Sequence, residues 1–447
     1  MAMRKLFGIP RHVNYLNTAF AAPLMRPVKE AGARAILDQN SAATQSAPWN
    51  MALQPDFYAG VEQARERFGT LVGCAGGDVA LQCSASYGLA TAAAALKGGV
   101  GEGQRIVVLE EQFMSNLWVW QRVAAERGAT VAVLPRPADN DWTAAVLAEL
   151  HEPGAAVAAL PPCHWTDGAP LDLVAIGAAC RAQGCALVVD GTQAVGAAPF
   201  SVADVQPDAL VCAAYKWLLC PYGAALTYIA PRWQDADPIE LHGFQVMTML
   251  VLPLVLPLVL PLVLPLVLPL VLPLVLMVLV LTVSLVLGQR PNAGFAADGS
   301  YGDRWVREDG LSEREWMQGA RRFDSGQRSC FVKVPMVNAA LAQLNQWGAE
   351  VAAHTAPLID RACERAAALG LSVPSPRLRS QHMLGVRFGN TVEPEQLKSL
   401  VGALKSEHGI HVSVRGSSMR IAPHLWTEEE DIDALFDALQ QHEQVLR

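Results

Sequence analysis

The sequence predicts an α/β fold: a mostly parallel sheet in a large domain, followed by a smaller α+β C-terminal domain. Two observations carry this. In the first half of the chain, short apolar runs alternate with longer stretches of Ala/Leu periodicity, the pattern of buried strands covered by helices. After about Gly326 the pattern changes to helical stretches separated by short apolar runs, a unit of about 120 residues.

Taken in order, residues 106–110, 130–134, 155–160, 186–190, 209–214 and 224–229 read as strands, and 116–128, 142–150 and 171–183 as helices. In the C-terminal part, 335–347, 352–369 and 394–408 read as helices and 383–388 and 419–422 as strands. A last helix opens with Thr427 as its N-cap and three Glu in its first turn. The expected organisation is an N-terminal segment, 1–20, packing with the small domain, then a large domain, 21–325, and a small domain, 326–447.

A segment at 246–287 interrupts the large domain with a P-L-V-L repeat, Pro recurring at 253, 257, 261, 265, 269 and 273. No charged residue stands between Glu240 and Arg290. Its length would suit a membrane span, but Pro at every fourth position removes a backbone donor each turn and clashes with the preceding one. A single span would also put residues before and after it on opposite sides of a membrane. The reading is a low-complexity insert in a surface connection. A two-pass hairpin is the membrane topology that would keep the chemistry together.

Without that segment the composition is that of an ordinary globular protein. The net charge of −8 is spread without a basic block, which argues against a nucleic-acid partner. Nine scattered cysteines with no C-x-x-C pair suggest neither a disulfide framework nor a metal site. Residues 1–14 lack an apolar signal core, so a reducing cytoplasm is expected.

The chemistry concentrates in 186–229. An apolar strand ends in Asp190, followed by Gly191, Thr192 and Gln193, and a second strand leads to Tyr215, Lys216 and Trp217. A strand-end acid alone reads as a helix cap and a lone Lys as a solvated group. Together, a lysine leaving an apolar strand and an acid in the same sheet suit Schiff-base chemistry, because burial lowers the amine pKa.

V-V-D-G-T-Q followed by A-Y-K-W-L resembles the fold-type I pyridoxal-phosphate enzymes of the class V aminotransferase family, the group of cysteine desulfurases, kynureninase and isopenicillin N epimerase. The resemblance runs along nearly the whole chain apart from the insert. It implies Lys216 as the Schiff-base lysine and Asp190 as partner of the pyridine nitrogen, both catalytic. It implies Gln193 at the phenolic oxygen and Tyr215 at the phosphate. Cys83-Ser84-Ala85-Ser86-Tyr87-Gly88, before an Ala-rich helix, matches the phosphate loop and gives Ala85 and Ser86. Phe113 matches the residue stacked on the cofactor ring, and Thr166 a polar position near the cofactor.

Beyond the insert, Arg321-Arg322-Phe323-Asp324-Ser325-Gly326 resembles a junction segment that approaches the partner subunit's phosphate, implying a homodimer. Arg420, in V-R-G-S-S-M-R-I-A-P, matches the arginine that binds the substrate carboxylate, with Arg415 as a second contact. Asn17, in Y-L-N-T-A, lies at the substrate end of the pocket.

The implied substrate is a small molecule, an amino acid, and the leading activity transamination. A kynureninase-like C–C lyase or an epimerase is the alternative enzyme. A catalytically impaired or membrane-attached relative is the alternative of another class. A desulfurase is disfavoured, because Ser417-Ser418-Met419 stands where the nucleophilic Cys would be needed and no Cys follows Cys363.

Overall fold

The computed structural model describes residues 2–38, 58–96, 99–240, 317–388 and 392–442. The 246–287 segment lies outside them. No helix among the described residues is long and apolar enough to cross a membrane.

Seven strands form the large sheet: β1 (Val79–Gln82), β2 (Arg105–Leu109), β3 (Thr130–Leu134), β4 (Ala155–Leu160), β5 (Ala186–Asp190), β6 (Ala209–Ala213) and β7 (Ala225–Ile229). Their order across the sheet is β1-β7-β6-β5-β4-β2-β3. Strands β2 to β6 pair parallel, and β7 runs antiparallel to both β6 and β1. The central strands carry only apolar residues up to Asp190 and are buried on both faces, as helices on each side require. Six of the seven were legible as apolar runs. β1, reading VALQ, was not, because four residues give no period.

A second sheet holds β8 (Leu384–Arg387), β9 (Ser413–Arg415) and β10 (Ser418–Ile421), antiparallel in the order β9-β10-β8. The helices Glu350–Ala368, Pro394–His408 and Glu429–Gln441 share an apolar core with it. The helix Lys333–Trp347 instead packs on the helices Arg26–Asp38 and Ala59–Val72, within the core of the large sheet. Its Pro335 stands at the third position, where no intrahelical N–H is needed.

The last helix is capped one residue later than the sequence suggests. Thr427 is fully buried, its hydroxyl accepting the His424 N–H at 3.2 Å, so Glu428 caps instead, in a reciprocal box with Asp431.

The N-terminal segment ties the two sheets together. Asn14–Tyr15 pairs parallel with Ile410–His411. Ala422 N–H donates to the Leu16 carbonyl at 2.8 Å, and Ala22 N–H donates to the Tyr215 carbonyl at 3.0 Å. A single strand of chain thus runs from the small sheet to the residue before Lys216.

Candidate active site

The carboxyl ends of β1, β2, β4, β5 and β6 lie at one edge of the large sheet, where a cavity of about 200 Å³ opens. β5 delivers Asp190 as its last residue. The carboxylate then accepts the Thr192 N–H at 3.1 Å, which fixes the turn Gly191–Gln193. The Thr192 hydroxyl accepts the Ala213 N–H at 3.0 Å, joining that turn to the end of β6. Gly196, at φ +97°, faces the Trp217 carbonyl so closely that a Cβ would collide with it. The segment after Asp190 therefore lies directly against the loop that carries Lys216.

Lys216 is 7% exposed, and its Nζ lies 5.6 Å from the ring centroids of both Phe113 and Tyr215. Burial draws its pKa down to about 8, opposed by the negative charge of Asp190 and assisted by Arg420 and Arg415. Burial pushes the Asp190 carboxyl up, while Thr192 and the lysine charge pull it back.

At the other end of the cavity begins the helix Ala85–Ala95. The Ser84 hydroxyl caps it by accepting the Tyr87 N–H at 3.1 Å. The amides of Ala85 and Ser86, in the first turn, have no intrahelical acceptor. The Ser86 and Ser115 hydroxyls meet at 2.8 Å, and Ser115 opens the helix Ser115–Arg127. Two helix N-termini thus make this end favourable for an anion.

Ala85, Ser86, Phe113, Asp190, Gln193, Tyr215 and Lys216 all line this one cavity. Gln193 is already held there. Its Oε1 accepts the Trp217 indole N–H at 3.0 Å, and its Nε2 donates to the Ala19 carbonyl at 3.1 Å. Thr166 is elsewhere. Its hydroxyl meets His164 Nδ1 at 2.7 Å and accepts from Arg136 at 3.0 Å, which turns it into a neighbouring cavity. Trp165, the residue before it, takes the place in the wall. Its indole N–H donates to the Glu111 carbonyl at 2.7 Å, and its ring stands edge-on to Phe113 at 5.3 Å.

The two arginines expected at the substrate are not among the residues lining this cavity and meet instead at Trp165, in its wall. Arg420, 1% exposed, donates from Nη1 to the Trp165 carbonyl at 2.6 Å, and burial with the neighbouring Arg415 charge lowers its pKa to about 9. The Arg415 guanidinium lies 5.5 Å from the Trp165 ring centroid. Asn17 bridges to Ala422, with its buried Oδ1 unpartnered among the described residues. In the junction segment, Arg321 is bound to Glu62 and the Asp324 carboxylate accepts the Leu81 N–H at 2.9 Å.

Besides Trp165, sequence reasoning missed Ser115, Thr192 and Arg136. Each lies just past the carboxyl end of a strand or in the turn that follows, and that position was the available signal.

The donor set has a clear chemical fit. A carboxylate sits at one end, an amine near neutrality in the middle and helix N-termini at the other. These suit a ring nitrogen that must stay protonated, an aldehyde and a phosphate, the three functional ends of pyridoxal phosphate.

Comparison with known proteins agrees. The sequence profile described as aminotransferase class-V matches residues 14–251. Isopenicillin N epimerase of Streptomyces clavuligerus is 28% identical over 245 residues, 52% of this chain and 57% of that protein. The uncharacterized aminotransferase YcbU of Bacillus subtilis (strain 168) is 23% identical over 98% of this chain and 96% of its own. Among solved structures, the apo cysteine desulfurase from Thermococcus onnurineus NA1 superposes with a TM-score of 0.72 at 15% identity, covering 99% of this chain and 98% of that one, a likeness of fold. The chain belongs to the class V aminotransferase family, the pyridoxal-phosphate enzymes of fold type I.

Proposed function

We propose that this protein is an aminotransferase acting on an amino acid. The observation that carries the reading is Lys216: a buried amine with its pKa drawn to about 8, facing Asp190 across a cavity whose far end favours an anion.

When bound, pyridoxal phosphate supplies an electron sink that acidifies the Cα–H of an amino acid. The residues for holding it are Asp190 at the ring nitrogen, Phe113 at the ring face, and the amides of Ala85 and Ser86 with the Ser86 hydroxyl and Tyr215 at the phosphate. Gln193 has one amide hydrogen left for the phenolic oxygen. Lys216, once its amine is free, takes the Cα proton at Nζ and returns it. Its lowered pKa keeps a useful share of the base form near neutral pH. Arg420 receives the α-carboxylate, and Trp165 with Phe113 screens the reacting atoms from water.

The division into 1–20, 21–325 and 326–447, with the helix Lys333–Trp347 of the last part packed into the core of the large sheet, a homodimer and a cytoplasmic location complete the proposal. Phe20, Met114, Trp118 and Tyr222, exposed apolar side chains among the described residues, support contact with a partner subunit.

One observation favours a second reading, epimerisation: the likeness to isopenicillin N epimerase. An epimerase needs an acid on the face of Cα opposite Lys216. Of the cavity wall, Cys83, Tyr215 and Tyr222 carry a proton for that role. Incubation with single L-amino acids in deuterated water, with and without a 2-oxo acid, separates the two. A new amino acid formed only with the oxo acid supports transamination. Deuterated D-isomer without it overturns transamination in favour of epimerisation. Absence of bound cofactor in the purified protein would point instead to an impaired relative.

A further inference from the structure

Next to the cofactor cavity lies a second one, of about 210 Å³, lined by Glu110, Glu111, Arg136, Thr166, Arg387, Arg415, Ser417 and Ser418. Trp165 divides the two. Its ring is in the wall of the first, and the Arg415 guanidinium faces that ring from the second.

The charges of this second cavity do not pair evenly. Arg136 is spent on Asp167 at 2.6 Å and Glu111 at 2.8 Å, and its backbone N–H donates to Glu110 at 2.8 Å. Arg387 meets Asp167 at 3.1 Å. The acids near the wall are thus taken up by Arg136 and Arg387. Arg415 has no carboxylate partner among the described residues. Its Nη1 donates only to the carbonyl of its own neighbour Val414, at 2.7 Å, and its buried Nε has no partner among them. Arg420 also donates only to a carbonyl, that of Trp165.

The buried Arg420 guanidinium and the half-buried Arg415 guanidinium, neither with a carboxylate partner among the described residues, are costly to hold and repel one another. A ligand with one carboxylate would compensate one of them. We propose that Arg415 and the second cavity bind the distal carboxylate of the substrate, so that the enzyme acts on acidic, dicarboxylic amino acids, the α-carboxylate going to Arg420. This rests on the site reading above. The charges of both arginines act on Lys216, so Arg415 belongs to the electrostatic surroundings of the first cavity. The planar fork of Arg415, backed by Trp165, suits a carboxylate held through two oxygens. Ser417 and Ser418 add hydroxyl groups to the same wall.

The test compares glutarate with butyrate by calorimetry on the cofactor-loaded protein, and L-glutamate and L-2-aminoadipate with L-norvaline by the spectral response of the bound cofactor. The wild type is expected to favour the dicarboxylate at least tenfold in both series. In Arg415→Met that advantage falls at least tenfold, and Arg415→Lys recovers part of it. A wild type without preference, or an Arg415→Met protein that keeps it, overturns the proposal. So does displacement of glutarate by inorganic phosphate at equal concentration, which would make the cavity a general anion site. A glutarate preference with no spectral response to any amino acid would leave this cavity assigned and sink the aminotransferase reading instead.

Discussion

Asp190 and Lys216 are buried in the wall of one cavity, and each shifts the other's charge equilibrium. The Asp190 charge raises the proton affinity of Lys216, and the Lys216 charge lowers that of Asp190. In both residues the larger effect is burial, which disfavours the charged form. The lysine therefore titrates at about 8 rather than in its ordinary range, while the carboxyl is pushed up. A protonated aromatic ring nitrogen bound beside Asp190 would favour the charged form of its carboxyl.

The first prediction follows from that coupling. Purified protein should be yellow, and borohydride should fix the cofactor to Lys216. Lys216→Ala should lose the reducible linkage, and retention of it would show that another amine is used. In Asp190→Asn the charge that raises the Lys216 pKa is gone, so the pKa should fall further below 8. Competitive amine labelling of the cofactor-free protein against pH reads this directly, and an upward shift would contradict the coupling.

Arg420 supplies the second. Its Nη1 is already committed to the Trp165 carbonyl, so the guanidinium is held in place before substrate arrives. Arg420→Ala should cost about 2–4 kcal/mol of transition-state stabilisation, read in kcat/KM, with cofactor content preserved. Unchanged kcat/KM would remove Arg420 from the substrate site.

The third prediction is negative: L-cysteine should leave no persulfide on the protein. Arg415 pairs directly with Ser418, so Gly416 and Ser417 form the tight turn of an antiparallel hairpin, with Gly416 at φ +56°. A turn this short, without a thiol, cannot swing a sulfur nucleophile toward a substrate. The cavity wall does hold one exposed cysteine, Cys83, so persulfide detection should include Cys83→Ser. Persulfide that survives neither omission of L-cysteine nor removal of Cys83 would make that thiol a nucleophile and reverse the prediction.

Much of the sheet was legible because buried parallel strands are continuous apolar runs, as ALVVD and ALVCA show. The same runs end where chemistry begins, so Asp190 and Lys216 could be singled out as a pair at strand ends, with their roles implied by the family resemblance. Thr166 could not be placed that way. In the chain it adjoins Trp165, and which of the two faces the cofactor cavity depends on Arg136, thirty positions earlier and on a different strand end. Thr427 failed as a cap for a related reason: its hydroxyl serves His424, a contact set by how the turn folds back. Residues fixed by their own strand were readable, and residues fixed by a distant side chain were not.

The last prediction concerns acid stability and the support of the site. His382 is 2% exposed, with Nε2 at 2.7 Å from the Gln193 carbonyl and its ring edge-on to Trp217 at 4.8 Å. It thus braces both the last residue of the turn that follows Asp190 and the residue after Lys216. Burial lowers its pKa to about 4, against the opposing pull of the Gln193 carbonyl. A histidine in the unfolded chain titrates near ~6.5, so between about 4 and ~6.5 the unfolded state binds more protons than the folded one. Stability is therefore full above ~6.5 and is lost as pH falls through that window. At ~1.36 kcal/mol per pH unit, this one residue accounts for about 3 kcal/mol by pH 4. His424, with its pKa lowered to about 3 by burial first and then by the charges of His354 and His382, extends the loss further down. His382→Gln, which keeps an N–H for the Gln193 carbonyl, should lower stability at pH 8 yet flatten its decline toward pH 4. Urea unfolding midpoints measured from pH 8 to pH 4 report both. An unchanged slope in the variant would mean that His382 is already protonated in the fold, and the dry bracing of Gln193 and Trp217 would have to be abandoned.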